Sequence, residues 1–443
     1  MNRSCKQRIR KLRAKMRCEV VIQKRRHMFK LPSSFGCAKY PPTVGHKSST
    51  PPMSKKSAAP PAEEEWEDVE GEEGEEEEEE EDTTIANSDV MTKYKKAATW
   101  ANEALAHVIT LCKAGASVLE ICKAGDDTIN TKCATMFRGV EKGVAFPTCI
   151  NINQCVCHFS PNPGEPGSEA VLNDNDVVRI DLGVHIDGYC AVVAHTIVVT
   201  PTGDLPADGK EQQLITAAYA TLNAASRQFR PGQSVYDVTK IIEDCAVHFG
   251  VNAVDGVLSH QMKRYIIDGG RCIPGKNVAE HKVHNYEFEP MSVWTLDVVL
   301  STGTSRLRER DAKTTIFKTA LESTYNTKLA AAAELQREIE AKFQTFPFCV
   351  RTLEGKRARL GLNEMLKHGN VIPYPVLFSR EGEVLAQFKI TILISGTKIE
   401  RVTGIPMQKG GAAPAPFSEE ALLTASKLPI TFGGKKAKEV AAA

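Results

Sequence analysis

Two runs rich in β-branched residues flank the dipeptide Asp187-Gly188 within residues 177–199, VVRIDLGVHIDGYCAVVAHTIVV. An Asp-Gly pair between such runs is the strongest short-range signal for a β-hairpin, because both residues tolerate the positive φ of a type I′ turn. A two-residue turn fixes the register, so Gly183 lies opposite Val192 and Asp181 is the diagonal neighbour of Val192 on the same face. The chain is therefore expected to contain a hairpin that presents Asp181 and Val192 together.

Helical patterns precede this hairpin and recur after it. Apolar residues at three- and four-residue spacing, with capping boxes that begin at Ser117 and Ser234, mark these segments. Four helices are predicted in this way, over residues 89–113, 117–136, 209–229 and 234–249. Strand patterns follow near residues 256–300. Spacing alone predicts a mixed α/β class in which helix pairs and strands alternate.

The first 87 residues carry opposite charges in separate blocks. Residues 1–62 contain sixteen Lys or Arg and one acid, whereas residues 63–82 contain sixteen acids and no base, so the net charge of +1 hides a strong segregation. Segments of like charge with few aliphatic residues cannot bury enough surface to fold, so residues 1–87 are expected to form a disordered extension, basic and then acidic. Residues 8–17, RIRKLRAKMR, are typical of a nuclear or nucleic-acid signal; a short helix formed on a partner and a solvated tail are the alternatives.

Composition argues against several other classes of protein. No run of about 18 uncharged apolar residues exists, so no membrane partner is expected, and the basic first thirty residues lack the apolar region of a secretory signal. The 13 cysteines are scattered and odd in number, which favours a reducing compartment over a disulfide framework. A zinc cluster on Cys149, Cys155, Cys157 and His158 is disfavoured, because its C-x-C spacing is tight and no second ligand pair follows.

Four further segments are similar to segments of one enzyme family, the type II methionine aminopeptidases. They are 153–162 (NQCVCHFSPN), 256–260 (GVLSH), 293–301 (VWTLDVVLS) and 386–389 (AQFK). The resemblance runs from about residue 88 to about residue 405 and covers the hairpin as well. It implies an α/β class with the pseudo-symmetric pita-bread (creatinase/aminopeptidase) fold, a pocket between the two halves, and a dinuclear metal centre held by five ligands.

At the five ligand positions that the resemblance implies, this chain keeps only part of the set. Asp181 and His260 match the family's ligands, Asp297 is one methylene shorter than the family's glutamate, and Val192 and Lys389 replace two carboxylates. The isopropyl group of Val192 supplies no oxygen ligand, and the ammonium group of Lys389 places a positive charge where the family has a negative one. Two divalent ions need bridging carboxylates to offset their charge, so no metal cofactor is expected. A single divalent ion on Asp181, His260 and Asp297 is the alternative.

This pattern of missing metal ligands resembles that of the proliferation-associated, ErbB-binding protein family, a non-peptidase branch related to the type II enzymes. The segments that carry this closer resemblance are 155–161 (CVCHFSP), 179–185 (RIDLGVH), 193–196 (VAHT) and 258–261 (LSHQ). The resemblance makes His158 an inherited pocket histidine, and Asp268 stands where the family has a second one. Both residues are therefore assigned to a vestigial pocket, with no catalytic residue.

The same resemblance implies a function. It implies a catalytically inactive protein that binds ribosomal RNA or the large ribosomal subunit and its precursors, together with other proteins, in ribosome biogenesis, translation or growth control. It also implies a location in the cytoplasm and in the nucleus or nucleolus. The alternative is an active metal-dependent methionyl aminopeptidase with an atypical metal site.

The predicted folded part has an interruption and a tail. The aminopeptidase-like domain is assigned to residues 88–317 and 376–405, interrupted by a small helical insertion over residues 318–375. Residues 406–443 are rich in Gly, Pro and Ala and are expected to form a mobile tail with a basic end. Basic residues at the two ends of the insertion are candidates for RNA phosphates, with plain surface solvation as the alternative: Arg306, Arg308, Arg310, Lys313, Lys356, Arg357 and Arg359.

Overall fold

The computed structural model describes residues 82–279, 283–304, 306–323, 325–396, 398–410 and 430–432. Its helices are α1 (Ser88–Leu111), α2 (Val118–Ala134), α3 (Lys210–Ser226), α4 (Val235–His248), α5 (Ala330–Lys342) and α6 (Ala358–Lys367). Its strands are β1 (Lys142–Ile152), β2 (Cys155–Cys157), β3 (Val177–Ile186), β4 (Tyr189–Val198), β5 (Asn252–Ala253), β6 (Leu258–Met262), β7 (Cys272–Pro274), β8 (Ser292–Ser301), β9 (Arg308–Glu309), β10 (Ile316–Thr319), β11 (Phe348–Cys349), β12 (Val371–Tyr374), β13 (Leu377–Phe378), β14 (Leu385–Ser395), β15 (Lys398–Arg401) and β16 (Ile430–Phe432). None of the described helices is long and apolar enough to cross a membrane.

The hairpin predicted around Asp187 is present as β3 and β4. Gly183 is the register partner of Val192, and Asp181 pairs with Ala194, as the two-residue turn requires. Asp187 and Gly188 have φ values of 54° and 81°, which suits the predicted turn. A Cβ on Gly188 would lie 2.6 Å from the ring of Tyr265, so this position needs glycine for space as well as for conformation. The predicted hairpin and its register are confirmed.

One large mixed sheet forms the centre of the described structure. Its main path is β1-β3-β4-β14-β8-β6-β7. Strands β8 and β14 pair antiparallel over ten residues, and this register places Lys389 directly opposite Asp297. Helices α1 and α2 pack on β1, β3 and β4, and helices α3 and α4 pack against β7, β8 and β14. Each half of the sheet therefore carries its own helix pair, and the mixed α/β prediction is confirmed.

The two halves of the sheet meet along β4 and β14, where threonine hydroxyls supply much of the hydrogen bonding. Lys389 and Ala194 are the register partners of this strand pair. The Thr391 hydroxyl accepts from the Val192 amide at 2.9 Å and donates to the Val192 carbonyl at 3.0 Å. Thr196 bonds the backbone of Gln387 in the same two ways, at 2.8 and 2.7 Å. These side chains satisfy backbone groups that a regular ladder would have paired, because buried backbone groups need partners.

The insertion contains strands as well as helices. Helices α5 and α6 lie where helices were predicted, over shorter spans. Strands β11 and β12 pair with β10 in a separate three-stranded sheet, which corrects the purely helical prediction for residues 318–375. Leu335, Phe348 and Met365 belong to a hydrophobic cluster of its own. A second small sheet, β2-β13-β9, joins the chain on both sides of the insertion to the loop that carries His158.

Parts of the predicted disordered extension and of the predicted mobile tail are ordered in the structure. Within the predicted extension, Ile85 is 3% exposed in the main core and Asn87 accepts from the amide of Asp89 as the N-cap of α1. Within the predicted tail, Gln408 hydrogen-bonds both the amide and the carbonyl of Val198, and β16 pairs in parallel with β15. Apolar burial and backbone pairing explain why these segments are ordered. The rest of both predictions, residues 1–81, 411–429 and 433–443, lies outside the described residues.

Candidate functional site

Central strands from both halves bring the five predicted ligand positions together. Asp181 lies on β3, Val192 on β4, His260 on β6, Asp297 on β8 and Lys389 on β14. All five line one cavity of about 250 Å³. The predicted pocket residues His158 and Asp268 line it as well. The structure therefore assembles, from segments more than 200 residues apart, every position assigned to the metal site and the vestigial pocket.

The ammonium group of Lys389 lies between the two carboxylates. Its Nζ donates to Asp181 Oδ2 at 2.6 Å and lies 3.2 Å from Asp297 Oδ2. Burial opposes the charge on Lys389, but the two carboxylates outweigh burial and raise the pKa of the lysine above its usual value. Burial raises the pKa of both carboxyl groups, and the lysine opposes that rise. The three groups form one buried, mutually dependent ion-pair network.

Gln387 holds the second carboxylate from the other side. Its Nε2 donates to Asp297 Oδ1 at 2.9 Å and to Asp297 Oδ2 at 3.0 Å. Gln387 and Lys389 are two residues apart on β14, so they share a face of the strand. The backbone amide of Asp297 is bound by the hydroxyl of Ser259 at 2.8 Å. Asp297 is thus held by the side chains of Lys389, Gln387 and Ser259.

Val192 stands opposite this network as an apolar wall. Its side chain is 4% exposed and lines the cavity. A Cβ on Gly183 would lie 2.8 Å from Cγ1 of Val192, so the glycine makes room for the valine side chain. The valine is packed into the hydrophobic core of its half and contributes no donor atom to the site.

A second ion pair occupies the region of the predicted second histidine. Asp268 accepts a hydrogen bond from Lys318 of β10 and one of 3.2 Å from the Tyr374 hydroxyl of β12. His260 lies nearby, with Nδ1 3.3 Å from the carbonyl of Gly269, and burial lowers its pKa. Tyr374 of the insertion therefore lines the cavity, and Lys318 pairs with the Asp268 carboxylate.

His158 is fixed at the cavity by its backbone and its ring. The residue has φ of 68°, and Nδ1 lies 2.9 Å from the carbonyl of Pro375. Its ring packs edge-to-face on Tyr374, with centroids 5.2 Å apart, and lies 6.0 Å from the ring of Phe146. Burial lowers the pKa of His158 to about 4, so the imidazole is neutral at physiological pH.

These residues do not fit the dinuclear metal centre that the aminopeptidase resemblance implies. The ammonium group of Lys389 already hydrogen-bonds both remaining carboxylates, and a divalent cation placed beside it would meet a like charge. Val192 supplies no oxygen at the position that would have to bridge. One ion on Asp181, His260 and Asp297 would require Lys389 to leave both carboxylates. Among the described side chains, no group of three or more His, Cys, Asp or Glu is arranged to hold a metal ion.

The predicted basic residues all lie at the surface, and the fold links their two groups. Lys313 precedes the insertion and Arg359 lies within it, and both contact Glu165 Oε1, at 2.8 and 2.7 Å. Arg310 donates to the carbonyl of Ser379 and covers the ring of Phe378. The seven candidates, all exposed, are Arg306, Arg308, Arg310, Lys313, Lys356, Arg357 and Arg359.

Lys356, Arg357 and Arg359 also border a surface cavity of about 440 Å³ at the start of α6. Arg351 lines the same cavity and is held by Asp126 and by the Ser160 hydroxyl, at 2.5 Å. Positive charge therefore surrounds an open concavity next to a helix N-terminus, an arrangement that favours anions.

Sequence reasoning missed two polar residues that line the central cavity, Gln387 and Tyr374, and Lys318, which pairs with Asp268. Gln387 belongs to the segment 386–389 that carries the resemblance. Because it is two residues from Lys389 on a predicted strand, it could have been placed on the same face as the lysine. Lys318 and Tyr374 had no local signal, because their contact with Asp268 spans 50 and 106 residues. The general rule that a buried carboxylate needs a cation was the only pointer to Lys318.

Comparison with known proteins gives consistent matches. Residues 92–310 match the model for metallopeptidase family M24. The chain is 38% identical over 368 residues to "Proliferation-associated protein A" of Dictyostelium discoideum, covering 81% of this chain and 93% of that protein. It is 38% identical over 363 residues to "ERBB-3 BINDING PROTEIN 1" of Solanum tuberosum, covering 80% and 92%. The solved structure of a thermophilic Arx1 matches with a TM-score of 0.72 and 25% identity, over 78% of this chain and 99% of that one.

Proposed function

The chain belongs to metallopeptidase family M24, in the branch of the proliferation-associated and ERBB-3-binding proteins, and on this premise we propose that it is a catalytically inactive member that acts as an RNA- and ribosome-associated binding factor. Its fold is the pita-bread fold of that family. The proposed partners are ribosomal RNA or the large ribosomal subunit and its precursors. The proposed roles are in ribosome biogenesis, translation or growth control.

The observation that carries the proposed inactivity is the position of Lys389. Aminopeptidase chemistry on this fold uses a metal-activated water, and metal ions lower the pKa of bound water because they concentrate positive charge at an open coordination site. Here a side-chain ammonium contacts both remaining carboxylates, at 2.6 and 3.2 Å, and it has no open coordination position. His158 and His260 remain at the cavity without an activated water on which to act. We therefore propose no metal cofactor and no hydrolytic step.

The rival function is an active methionyl aminopeptidase with an atypical metal site. It requires Lys389 to leave Asp181 and Asp297 and another donor to replace the oxygen that Val192 lacks. Breaking a buried ion pair costs about 3–5 kcal/mol, because it leaves uncompensated charge in a low dielectric. The ion-pair network therefore favours the inactive form.

The basic surface supports the RNA part of the proposal. Lys313 and Arg359 are held on one carboxylate, Glu165, so the two groups of basic residues lie on a single surface. Each phosphate contact made by such residues releases counterions and adds salt-dependent affinity. Aromatic residues are not interleaved with the basic residues of residues 306–313 and 356–359, so stacking on bases is not proposed. Binding to a growth-factor receptor, which the name of one relative suggests, is not proposed either, because no observed feature of this chain specifies it.

The proposed inactivity is tested by metal analysis together with hydrolysis of a methionyl peptide by the purified protein. We expect neither stoichiometric divalent metal nor turnover. Two tightly bound ions with turnover would overturn the proposal and establish the rival enzyme.

The proposed partner is tested by co-sedimentation of the full-length protein with ribosomal subunits over a range of salt concentrations. We expect the protein to sediment with the large subunit and to be released as salt rises. Binding that is insensitive to salt would indicate a protein partner instead. A fluorescent fusion tests the proposed location in the cytoplasm and in the nucleus or nucleolus.

A further inference from the structure

The surface cavity beside α6 combines a basic lining with the size of a small-molecule site. Its volume is about 440 Å³, and pockets for small ligands measure roughly 300–1,000 Å³. Among the described residues that line it there is no Asp and no Glu. The lining contains four basic side chains, Arg351, Lys356, Arg357 and Arg359. Charge and size together therefore favour an anion as large as a nucleotide.

Two of the four cations are available to a ligand. Lys356 is exposed and has no ion-pair partner among the residues that the structure describes. Arg357 lies 3.6 Å from Glu334, and both side chains of this pair are more than half exposed. Exposed ion pairs contribute little to stability, so Glu334 competes weakly with an anion for Arg357. Arg351 and Arg359 have closer carboxylate partners, which leaves Lys356 and Arg357 as the main anion ligands.

The loop that leads into α6 is held in place by the rest of the insertion. Glu338 of α5 accepts from the amide of Glu354 at 2.7 Å and from the amide of Gly355 at 3.3 Å. The Arg351 side chain is 4% exposed and is fixed by Asp126. A ligand that binds here therefore has little backbone to order, and preorganisation of this kind favours affinity.

Apolar side chains line the same cavity. They include Val350, Leu353 and Leu360. Leu360 is 52% exposed, although it is a large aliphatic side chain. An inorganic anion would contact the basic residues alone, whereas a nucleotide has a phosphate for the cations and a nucleoside for the apolar side chains. The mixed lining therefore favours a nucleotide over a bare phosphate.

The size of the cavity restricts which phosphate of an RNA strand can enter. An internal phosphodiester carries one negative charge and continues into a nucleotide on each side, so it does not fit a cavity for one nucleotide. A terminal phosphate monoester carries about 1.5 to 2 negative charges at pH 7 and has three acceptor oxygens. Single-stranded ends are also places where RNA bases are unstacked and free to contact a protein.

We propose that this cavity binds the phosphorylated terminal nucleotide of a single-stranded RNA, with Lys356 and Arg357 on the phosphate monoester and Leu353 and Leu360 against the nucleoside. The proposal rests on the proposed RNA-binding function and names the part of the RNA that this surface recognises. No bond is made or broken in this binding. A 5′-phosphate and a 3′-phosphate present the same chemistry.

The proposal is tested with the full-length protein and three short single-stranded RNAs of identical sequence. One carries a 5′-phosphate, one carries a 3′-phosphate, and one has hydroxyl groups at both ends. Each competes, unlabelled, against an internally labelled RNA. We expect one or both phosphorylated RNAs to bind at least fivefold more tightly than the dihydroxyl RNA, and the preferred end identifies the source of the phosphate.

Two other outcomes would overturn the proposal in distinguishable ways. Equal affinities of all three RNAs would show that the terminal phosphate is not recognised, while RNA binding itself would stand. Failure of all three RNAs to bind would overturn the proposal together with the proposed RNA-binding function.

A double variant and a matched control assign the preference to the cavity. Lys356→Gln/Arg357→Gln should reduce the preference for phosphorylated RNA to less than twofold. Arg337→Gln/Lys367→Gln removes the same charges from exposed positions of α5 and α6 that do not line the cavity, and it should keep the full preference. Circular dichroism establishes that both variants are folded. An unchanged preference in the folded cavity variant would overturn the proposal.

The apolar contact is tested by Leu360→Ser. This variant should weaken binding of the phosphorylated RNA at least threefold, because the nucleoside loses an apolar partner. Ile372→Ser replaces another large aliphatic residue, 44% exposed on β12, and is the control that should bind as the wild type does. If Leu360→Ser also binds as the wild type does, the nucleoside does not lie against Leu360 and that part of the proposal is wrong.

Discussion

Lys389 lies directly opposite Asp297 in the antiparallel register of β14 and β8. The same lysine reaches Asp181 on β3, across Ala194 of the intervening strand β4. The cation is therefore provided by the strand at the junction of the two halves, and it binds one carboxylate from each half. This placement links the stability of both halves to one side chain.

Replacing this lysine should destabilise the fold strongly. In Lys389→Met, Asp181 and Asp297 become buried carboxylates without a cation, and we expect a loss of about 3–5 kcal/mol in the free energy of unfolding at pH 7. Burial, the largest influence on both carboxyl groups, then raises their pKa values without the opposing lysine, so folded-state pKa values lie above unfolded ones. Stability of the variant should rise as pH falls from 7 towards 5, because protonation removes the buried charge. Urea unfolding at several pH values measures both effects.

A matched triple variant is the control for that experiment. Asp181→Asn, Asp297→Asn and Lys389→Met together remove all three charges, and they should recover much of the stability lost in the single variant. If the free energy of unfolding of Lys389→Met lies within about 1 kcal/mol of the wild-type value, the ion-pair network is not important for stability.

Restoring two carboxylates should create a metal response that the wild type lacks. In Val192→Asp/Lys389→Glu the site regains oxygen donors and loses the competing ammonium. Any ligand that binds the folded state raises its stability by linkage, so manganese or cobalt should raise the melting temperature of this variant. Val192→Asn/Lys389→Gln has similar side-chain volumes without the added charges and is the control. An equal metal-induced rise in the melting temperature of the wild type would contradict the conclusion that its residues do not fit a dinuclear metal centre.

The basic surface should show its role in the salt dependence of RNA binding. Lys356, Arg357 and Arg359 border the cavity at α6, and replacing all three with alanine should weaken binding to single-stranded RNA. If each contacts one phosphate, the slope of log K against log salt should fall by about 2, at roughly 0.7 per contact. Lys113, Lys210 and Lys398 are also exposed, and their triple alanine variant is the control. Identical slopes for the two variants would argue against this surface.

Buried neutral histidines should make the protein sensitive to mild acid. Burial lowers the pKa of His195 to about 4, below its ordinary value of about 6.5. Between these values the unfolded chain binds a proton that the folded protein does not, so stability falls as pH falls from 6.5 towards 4. The largest contribution of this residue is about 3 kcal/mol.

His195→Leu should therefore flatten the fall in the free energy of unfolding between pH 7 and pH 4. Chemical unfolding across that range measures the slope. The exposed His107→Leu is the matched control. If both variants keep the wild-type slope, the acid sensitivity has another source.

The acidic block of the N-terminal extension should compete with RNA for the basic arm. Residues 63–82 contain sixteen acids, and residues 1–62 contain sixteen Lys or Arg. Deleting residues 63–82 should tighten RNA binding at low salt, and the difference should shrink as salt screens the charges. Filter binding of the deletion variant and the full chain measures this. Unchanged affinity at low salt would remove the hypothesis.

Features set by local sequence were predicted well. The Asp187-Gly188 turn defines its own register, so the approach of Asp181 to Val192, eleven positions apart, followed from local sequence. The four helices of the two halves also follow from local periodicity and caps. In contrast, β11 and β13 have two residues each, too few for any periodicity to show, so the small sheets beside the insertion could not be predicted.

Long-range polar contacts were the other limit. The five ligand positions came together as the resemblance implied, but no local pattern indicates that Lys389 reaches two carboxylates at once. Glu165 likewise joins Lys313 and Arg359, although 148 residues separate Glu165 from the nearer of them. Such partners depend on which strands become neighbours, and that is decided by the packing of the whole sheet.

A cation supplied by a side chain cannot dissociate, so no chelator and no shortage of metal can empty this position. The same property bears on how such a site could revert in evolution. Val192→Asp alone would place three carboxylates beside the single ammonium of Lys389. Lys389→Glu alone would leave three carboxylates without any ammonium. Each single step back towards a metal centre therefore lowers stability, and only a simultaneous change avoids the intermediate. With Lys389 in place, single substitutions therefore do not lead back to a metal centre without a loss of stability.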